Sequence, residues 1–302
     1  ITLFRRGRKM RIARCLWMIG WMVVAVLIAT RPAALPKASL EATFVDVGHG
    51  TSVIVRLPGG RVWLYDCGRM GNAVGTSRDI DTALWDLGVT RLDALFLSHA
   101  DSDHYNALPA ILERFAVDRI VIPPGMLERE PQRLVDLGEA IERHRVPGQE
   151  FGADGDLTKV LDDSFSAWVL HPSTDFSAGN DNANSLVLKI DHAGTSLILP
   201  GDLEPPGTGA LIHQPRPKAG GGLMAPHHGS LTMDAEAVLT WARPAETVVS
   251  GSRRAARVEV AEMLSVTGSG VHVTARQGAI RVRIDASGKI GVRGWLDLDG
   301  WD

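Results

Sequence analysis

Ser98-His99-Ala100-Asp101-Ser102-Asp103-His104 puts four potential metal ligands into six residues. The run before it, Leu92–Ser98, is short and apolar and reads as a buried strand. The run after it, Tyr105–Phe115, has the spacing of an amphipathic helix. Where a strand hands over to a helix the chain turns outward, so side chains at 99, 101 and 103 can converge on one cavity while 104 enters from the next turn. Ligands this closely spaced serve two ions more readily than one, and the spacing predicts His99 with Asp101 for one ion and Asp103 with His104 for the other. The competing reading is a solvated acidic loop. Against it, Ala94 through Ser98 carry no charge, and two other strand ends hold the same residue types: Pro200-Gly201-Asp202 and Pro226-His227-His228-Gly229-Ser230.

Outward from this stretch the chain has a doubled pattern. Leu40–Val47, Ser52–Leu57 and Arg61–Asp66 are β-branched or alternating runs separated by Gly-rich turns, as in a strand meander. Helices at Thr82–Leu87, Tyr105–Phe115 and Pro131–Arg145 then alternate with strands at Leu92–Ser98 and Arg119–Ile122. The second half repeats the theme. Strands are expected at Ala167–His171, Ser185–Ile190, Ser196–Pro200, Leu223–Pro226 and Thr247–Ser250, and helices near Ala235–Ala242 and Val258–Val266. Pro205 to Gly222 reads as a surface loop, and Ala279–Asp285 with Lys289–Arg293 as an edge hairpin. Two such halves imply stacked sheets with helices outside.

The N-terminus has a different character. Residues 1–14 hold six basic side chains and no acidic one, and Cys15 to Thr30 runs sixteen residues without a charge. As a helix this run spans about 24 Å, so residues 12–31 can cross a bilayer if Arg14 and Arg31 reach outward to the interfaces. The basic cluster places the N-terminus in the cytoplasm and residues 39–302 outside, across a linker at 32–38. No A-x-A cleavage site follows the run, which argues against a signal peptide. The start at Ile1 reads as a piece of a longer protein, with this helix the last of several.

Composition narrows the chemistry. Two cysteines, Cys15 in the apolar run and Cys67, exclude a disulfide framework and a Cys-based zinc finger, so metal binding must use His and carboxylates. The net charge of −3, less the six positive charges of residues 1–14, leaves −9 on the remainder. That sign opposes long-range attraction of nucleic acid, so DNA binding would rely on local cations or metal ions. No G-x-S-x-G elbow or G-x-x-x-x-G-K loop occurs.

Taken in order, His99-x-Asp101-x-Asp103-His104, Gly201-Asp202 and His227-His228 resemble the metallo-β-lactamase superfamily. That resemblance implies a mixed α/β, four-layered αββα sandwich with a dinuclear metal site. Four further stretches are similar to the extracytoplasmic C-terminal domain of the ComEC family of DNA-internalisation competence proteins. They are Phe44-Val45-Asp46-Val47-Gly48-His49-Gly50, Leu64-Tyr65-Asp66-Cys67-Gly68, Asn184-Ser185-Leu186-Val187-Leu188 and Ala225-Pro226-His227-His228-Gly229-Ser230. The likeness extends over nearly all of residues 12–290.

The resemblance implies two divalent ions, zinc or manganese. His99, Asp101, Asp103 and His104 are among the ligands, Asp202 bridges, and His228 or His227 completes the second site. A water activated between the cations would attack, oriented by Asp103 or Asp101, while the unligated histidine, His227 or His228, contacts the phosphoryl oxygen or protonates the leaving group. Asp46 and Asp66 would orient the ligands from behind, or else be plain turn formers at strand ends. The sequence also departs from the superfamily. Asp101 replaces a histidine and favours harder ions. The histidine ahead of the Gly-Asp strand is missing, with Asn184 or Asn182 in its place, which implies a weakly held first ion. Thr51 stands where the family has Asp, and an Arg-rich stretch with Arg253, Arg254 and Arg257 occupies 252–258. Ser230, Arg253 and Arg254 are the expected substrate contacts.

Three functions follow as expectations. One is a membrane-anchored nuclease degrading the DNA strand that is not imported, beside channel helices of the parent protein. Another is a phosphoester hydrolase acting on a cell-surface group. The last is a non-catalytic module that binds DNA or a partner through a decayed metal site.

Overall fold

A computed structural model describes residues 14–22, 38–71, 73–129, 134–153, 165–231 and 234–297. Residues 35–302 form one compact unit and residues 1–34 another. Residues 14–22 are helical with exposed side chains. No helix among the described residues is long and apolar enough to cross a membrane. Most of the remaining 12–31 span, the linker up to residue 37 and the expected helix start at Pro131 lie outside the described residues.

Among the described residues, sixteen strands build the larger unit: β1 (Leu40–Phe44), β2 (Val53–Arg56), β3 (Val62–Tyr65), β4 (Arg91–Leu92), β5 (Ala94–Phe96), β6 (Ala116–Val117), β7 (Ile120–Ile122), β8 (Gly148–Glu150), β9 (Ser166–His171), β10 (Val187–His192), β11 (Thr195–Leu199), β12 (Gly222–Met224), β13 (Glu246–Val249), β14 (Gly270–Val273), β15 (Ile280–Ile284) and β16 (Ile290–Gly294). Eight form one sheet in the order β16-β15-β1-β2-β3-β5-β7-β8, and six form a second in the order β14-β13-β12-β11-β10-β9. In each sheet an antiparallel part joins a parallel part: β3, β5, β7 and β8 run parallel in the first, β11 to β14 in the second. This is the physical form of the doubled sequence pattern.

The sheets pack face to face through Phe44, Trp63, Phe96, Leu188 and Leu199, drawn from both. The outer face of the eight-stranded sheet buries Leu64 and Leu95 under Ile80, Leu84, Ile111 and Leu137 of helices Ala73–Asp86, Leu108–Arg114 and Val135–His144. The six-stranded sheet is covered by helices Gly207–Ile212, Ala235–Ala242 and Val258–Leu264 through Leu211, Leu239 and Leu264. The order is helix, sheet, sheet, helix. Burying a side chain of this size contributes about 1.5–3 kcal/mol, so three separate apolar layers account for a framework rigid enough to hold loops at its rim.

Two expected elements are corrected. The single helix over Tyr105–Phe115 is two, Ser102–Tyr105 and Leu108–Arg114, because Pro109 opens a new first turn where its missing N–H costs nothing. The expected loop from Pro205 to Gly222 contains helix Gly207–Ile212. Its Pro206 serves as N-cap, and its first residue must be glycine because a Cβ there would lie on the Ala183 carbonyl.

Candidate metal centre

The loops that follow β1, β3, β5, β11, β12 and β13 all leave toward one rim of the sandwich. For the parallel strands this is the carboxyl-end edge where ligands bind in α/β sheets. Gly201, at φ +59°, lets the chain after β11 pass so close to β5 that a Cβ would sit 2.7 Å from Ser98 Cβ. Asp202 is thereby delivered to the side chains after Ser98. The Pro226-His227-His228-Gly229 turn holds both histidines at positive φ, 47° and 54°. Asp66 also has a positive φ, 57°. Strain of this kind, about 1–3 kcal/mol per residue, persists where the surroundings over-determine it, and here it gathers at one site.

Two groups of ligand atoms result. His99, His104 and Asp202 form one, all buried, and His49, Asp103 and His228 form the other. His104 Nε2 lies 3.3 Å from Asp202 Oδ1, and His228 Nε2 lies 3.3 Å from Asp202 Oδ2. Asp202 therefore stands between the groups, one oxygen toward each. His99 Nε2, His104 Nε2, His228 Nε2 and Asp202 Oδ1 are buried without a properly aligned hydrogen bond.

The opposite ring nitrogens are tied. Asp66 accepts the Ser98 backbone N–H at 2.7 Å and the Ser98 hydroxyl at 2.8 Å, and its Oδ2 lies 2.7 Å from His104 Nδ1. His99 Nδ1 faces Ser98 Oγ at 2.9 Å, and His228 Nδ1 faces the Ser250 carbonyl at 2.8 Å. With the Ser98 proton committed to Asp66, each Nδ1 is a donor, so each neutral imidazole turns a bare Nε2 lone pair toward the centre. Buried polar atoms left bare cost about 1–3 kcal/mol each unless something binds them. Imidazole nitrogens around a carboxylate, oriented from behind by a carboxylate and a carbonyl, fit a divalent cation.

Without a cation the charges compensate one another. Burial pushes the Asp202 carboxyl up, but His104 and His228 outweigh it and hold the pKa well below the usual range. Burial opposes protonation of His104, yet Asp202 and Asp66 raise its pKa well above the ordinary value, and Asp202 raises His228 in the same way. Burial also pushes Asp103 up, while the nearby His228 and His104 imidazoles bring the net shift below normal. His49 moves the other way: burial, then His228, lowers it.

Within 98–104, His99 and His104 lie 4.2 Å apart between ring centroids, and Asp103 faces His228 at 3.6 Å. The helix begins at Ser102, so residues 103 and 104 are successive helical positions about 100° apart and point into different groups. Asp101 is half-buried with Oδ2 3.5 Å from His99 Nε2. Asp66 lies behind His104. Asp46 does not reach the centre: it is exposed and borders a separate cavity with Asp79 and Trp295. Asn184 is buried, but its carboxamide accepts from the Ala178 N–H and donates to the Ala178 and Asn180 carbonyls, so it holds its own loop. Asn182 donates to Glu204, which also accepts from Asn180 and lies 2.7 Å from His227 Nδ1. His227 Nε2 is 3.8 Å from Asp202 Oδ2.

A cleft of about 360 Å³ opens beside the centre, lined by His49, His227, His228, Ser230, Arg254 and Arg257 among others. Arg253 is exposed and does not line it. His49 is not among the expected site residues; in the sequence it stands inside the Phe44–Gly50 stretch, a histidine between two glycines at the end of an apolar strand.

Residues 45–252 match the family model described as Metallo-beta-lactamase superfamily. The chain belongs to this superfamily. Among curated proteins it is 30% identical over 232 residues to ComE operon protein 3 of Bacillus subtilis (strain 168), covering 70% of this chain and 28% of that one. It is 31% identical over 236 residues to Competence protein ComA of Neisseria gonorrhoeae, covering 76% of this chain and 29% of that one. The chain thus spans under a third of the length of these curated relatives. A solved structure of a CmlA beta-hydroxylase mutant superposes with a TM-score of 0.51 at 16% identity, over 83% of this chain and 54% of that one, a likeness of fold.

Proposed function

We propose that this chain is a metal-dependent phosphodiesterase that cuts DNA outside the membrane as part of competence-type DNA uptake, anchored by residues 12–31. The observation that carries the reading is the convergence of His99 Nε2, His104 Nε2, His228 Nε2 and Asp202 Oδ1, buried and bare, beside a cleft bordered by Ser230, Arg254 and Arg257. His99, His104 and Asp202 would hold one cation, with Asp103 and His228 turned toward a second and Asp202 shared. Two divalent cations there, zinc or manganese, would supply an activated water and neutralise charge developing on a phosphoryl group. Arg254 and Arg257 give the cleft local positive charge within a globular portion of net −9, so a phosphate meets local attraction beside the centre. His227, with Nδ1 2.7 Å from Glu204 and its side chain lining the cleft, is placed to contact a phosphoryl oxygen or to protonate the leaving group. Similarity to competence proteins favours DNA over a small phosphoester.

The test is elemental analysis of the full chain purified without chelator, together with turnover of single-stranded DNA and of a small phosphodiester in added Mn²⁺. About two ions per chain with faster turnover of DNA is expected. Preference for the small ester transfers the substrate to a cell-surface group. Folded protein with no stoichiometric ion and no cleavage overturns the enzyme reading in favour of a binding module.

A further inference from the structure

We propose that His49 is a metal ligand, completing with Asp103 and His228 the site of the second divalent cation. The inference rests on the metal-dependent reading above and adds a residue from a strand end far from the other ligands in sequence. His49 Nε2 and His228 Nε2 each lie 3.6 Å from the same oxygen, Asp103 Oδ2. These separations are too long for hydrogen bonds. They match the spacing of two donors sharing one ion: with ion–ligand distances of about 2.0–2.2 Å in tetrahedral array, neighbouring donors stand about 3.3–3.6 Å apart. The rings of His49 and His228 are 4.7 Å apart at 45°, so neither stacks flat on the other.

The loop carrying His49 is fixed to the elements that carry the other two ligands. Gly50, at φ +147°, approaches so closely that a Cβ would lie 2.8 Å from the Asp103 carbonyl oxygen. The next amide, Thr51 N–H, donates to that same carbonyl at 3.2 Å. The Ser250 hydroxyl donates to the Gly50 carbonyl at 3.0 Å, while the Ser250 carbonyl faces His228 Nδ1. Ser250 therefore positions the His228 ring and the His49 loop together, and Met70 N–H donates to the His49 carbonyl. A surface histidine that happened to lie nearby would not need its backbone tied to both partners.

The two cations would differ in character. His99 and His104 have side chains 1% and 0% exposed, whereas His49 is 37% exposed and borders the cleft. The first ion is enclosed, and the second opens on the substrate side through a ligand reachable by solvent. One tightly held and one exchangeable cation are the consequence.

The test is a Co²⁺ titration of the full chain and of His49→Ala and His49→Gln, read by elemental analysis and visible absorption, with thermal unfolding to check the fold. Wild type should take up two equivalents. Both variants should bind the first as wild type does and the second more than about 100-fold more weakly, beyond the roughly 10–100-fold that outlying partners of metal ligands are worth. If both variants bind the second equivalent with unchanged affinity and spectrum, His49 is a substrate contact and the inference fails while the hydrolase reading stands. Loss of both equivalents from a folded variant overturns its assignment to the second ion. Wild type that binds one ion overturns this inference alone, and wild type that binds none overturns both.

Discussion

The loop after β5 and the loop ahead of β10 each bury polar side chains at a strand end, yet they use those side chains in opposite ways. In the first, His99 and His104 commit one ring nitrogen each to Ser98 and Asp66 and leave the other bare. In the second, Asn184 spends its carboxamide on the Ala178 N–H and on two backbone carbonyls of the same loop. What separates a ligand from a structural polar residue here is therefore the state of its last donor or acceptor rather than burial or residue type. A bare atom aimed at other bare atoms is costly unless a cation joins them, whereas a satisfied carboxamide gains nothing from one.

The hardest strain on that comparison comes from Asp202→Ala. Asp202 is the one carboxylate within 3.3 Å of both His104 and His228. Its removal leaves two buried imidazoles facing each other without their shared anion. Metal content should fall for both ions and phosphodiesterase activity by about 1000-fold or more, the scale expected when one member of a catalytic unit is deleted. A variant that keeps two ions per chain would show that the bare atoms are not what binds them.

Asn184→Ala probes the other loop. Three hydrogen bonds disappear, and the Ala178 and Asn180 groups lose a buried partner, so thermal unfolding should show a loss of about 1–3 kcal/mol. Metal content should be unchanged. A fall in bound metal without a fall in stability would restore Asn184 as a ligand and erase the distinction between the loops.

Much of this was legible in the sequence, and the reasons are local. His99 to His104 stood out because four ligand residues within six positions at the end of an uncharged strand have few structural uses. Asp202 and the His227-His228 pair stood out as the same residue types at other strand ends. Which neighbour each side chain meets was not legible, because it depends on a helix starting at Ser102 rather than after residue 104, which turns Asp103 toward His228 and His104 toward Asp202. Asp46 and Asp66 carry the same sequence signal, an aspartate closing a strand. Only the packing of β3 beside β5 puts Asp66 under Ser98 and His104, while Asp46, at the end of β1, looks out toward Asp79. His49 was hidden because its partners lie more than fifty residues away and its backbone contacts are formed by tertiary packing through Gly50.

The smallest effect expected is a pH dependence, and its sign discriminates as well as the mutations do. In protein without cations, folding raises the pKa of His104 and His228 above the ordinary 6.5, with Asp202 as the common cause after burial is overcome. Their contribution to stability is complete below 6.5 and is lost as pH rises through the folded values. Asp202 is shifted downward from 3.8, so its contribution is present above that value and is lost only as pH falls through its folded pKa. The cation-free protein should thus be most stable between about pH 4 and 6.5 and weaken toward pH 8. Cations need the imidazoles neutral, and each proton displaced on binding changes apparent affinity by about tenfold per pH unit. The difference in Tm between cation-loaded and chelator-treated protein should therefore be small at pH 5.5 and larger at pH 8. An equal difference at both would mean that the ions bind somewhere other than His104 and His228, and the loop after β5 would then be as purely structural as the one ahead of β10.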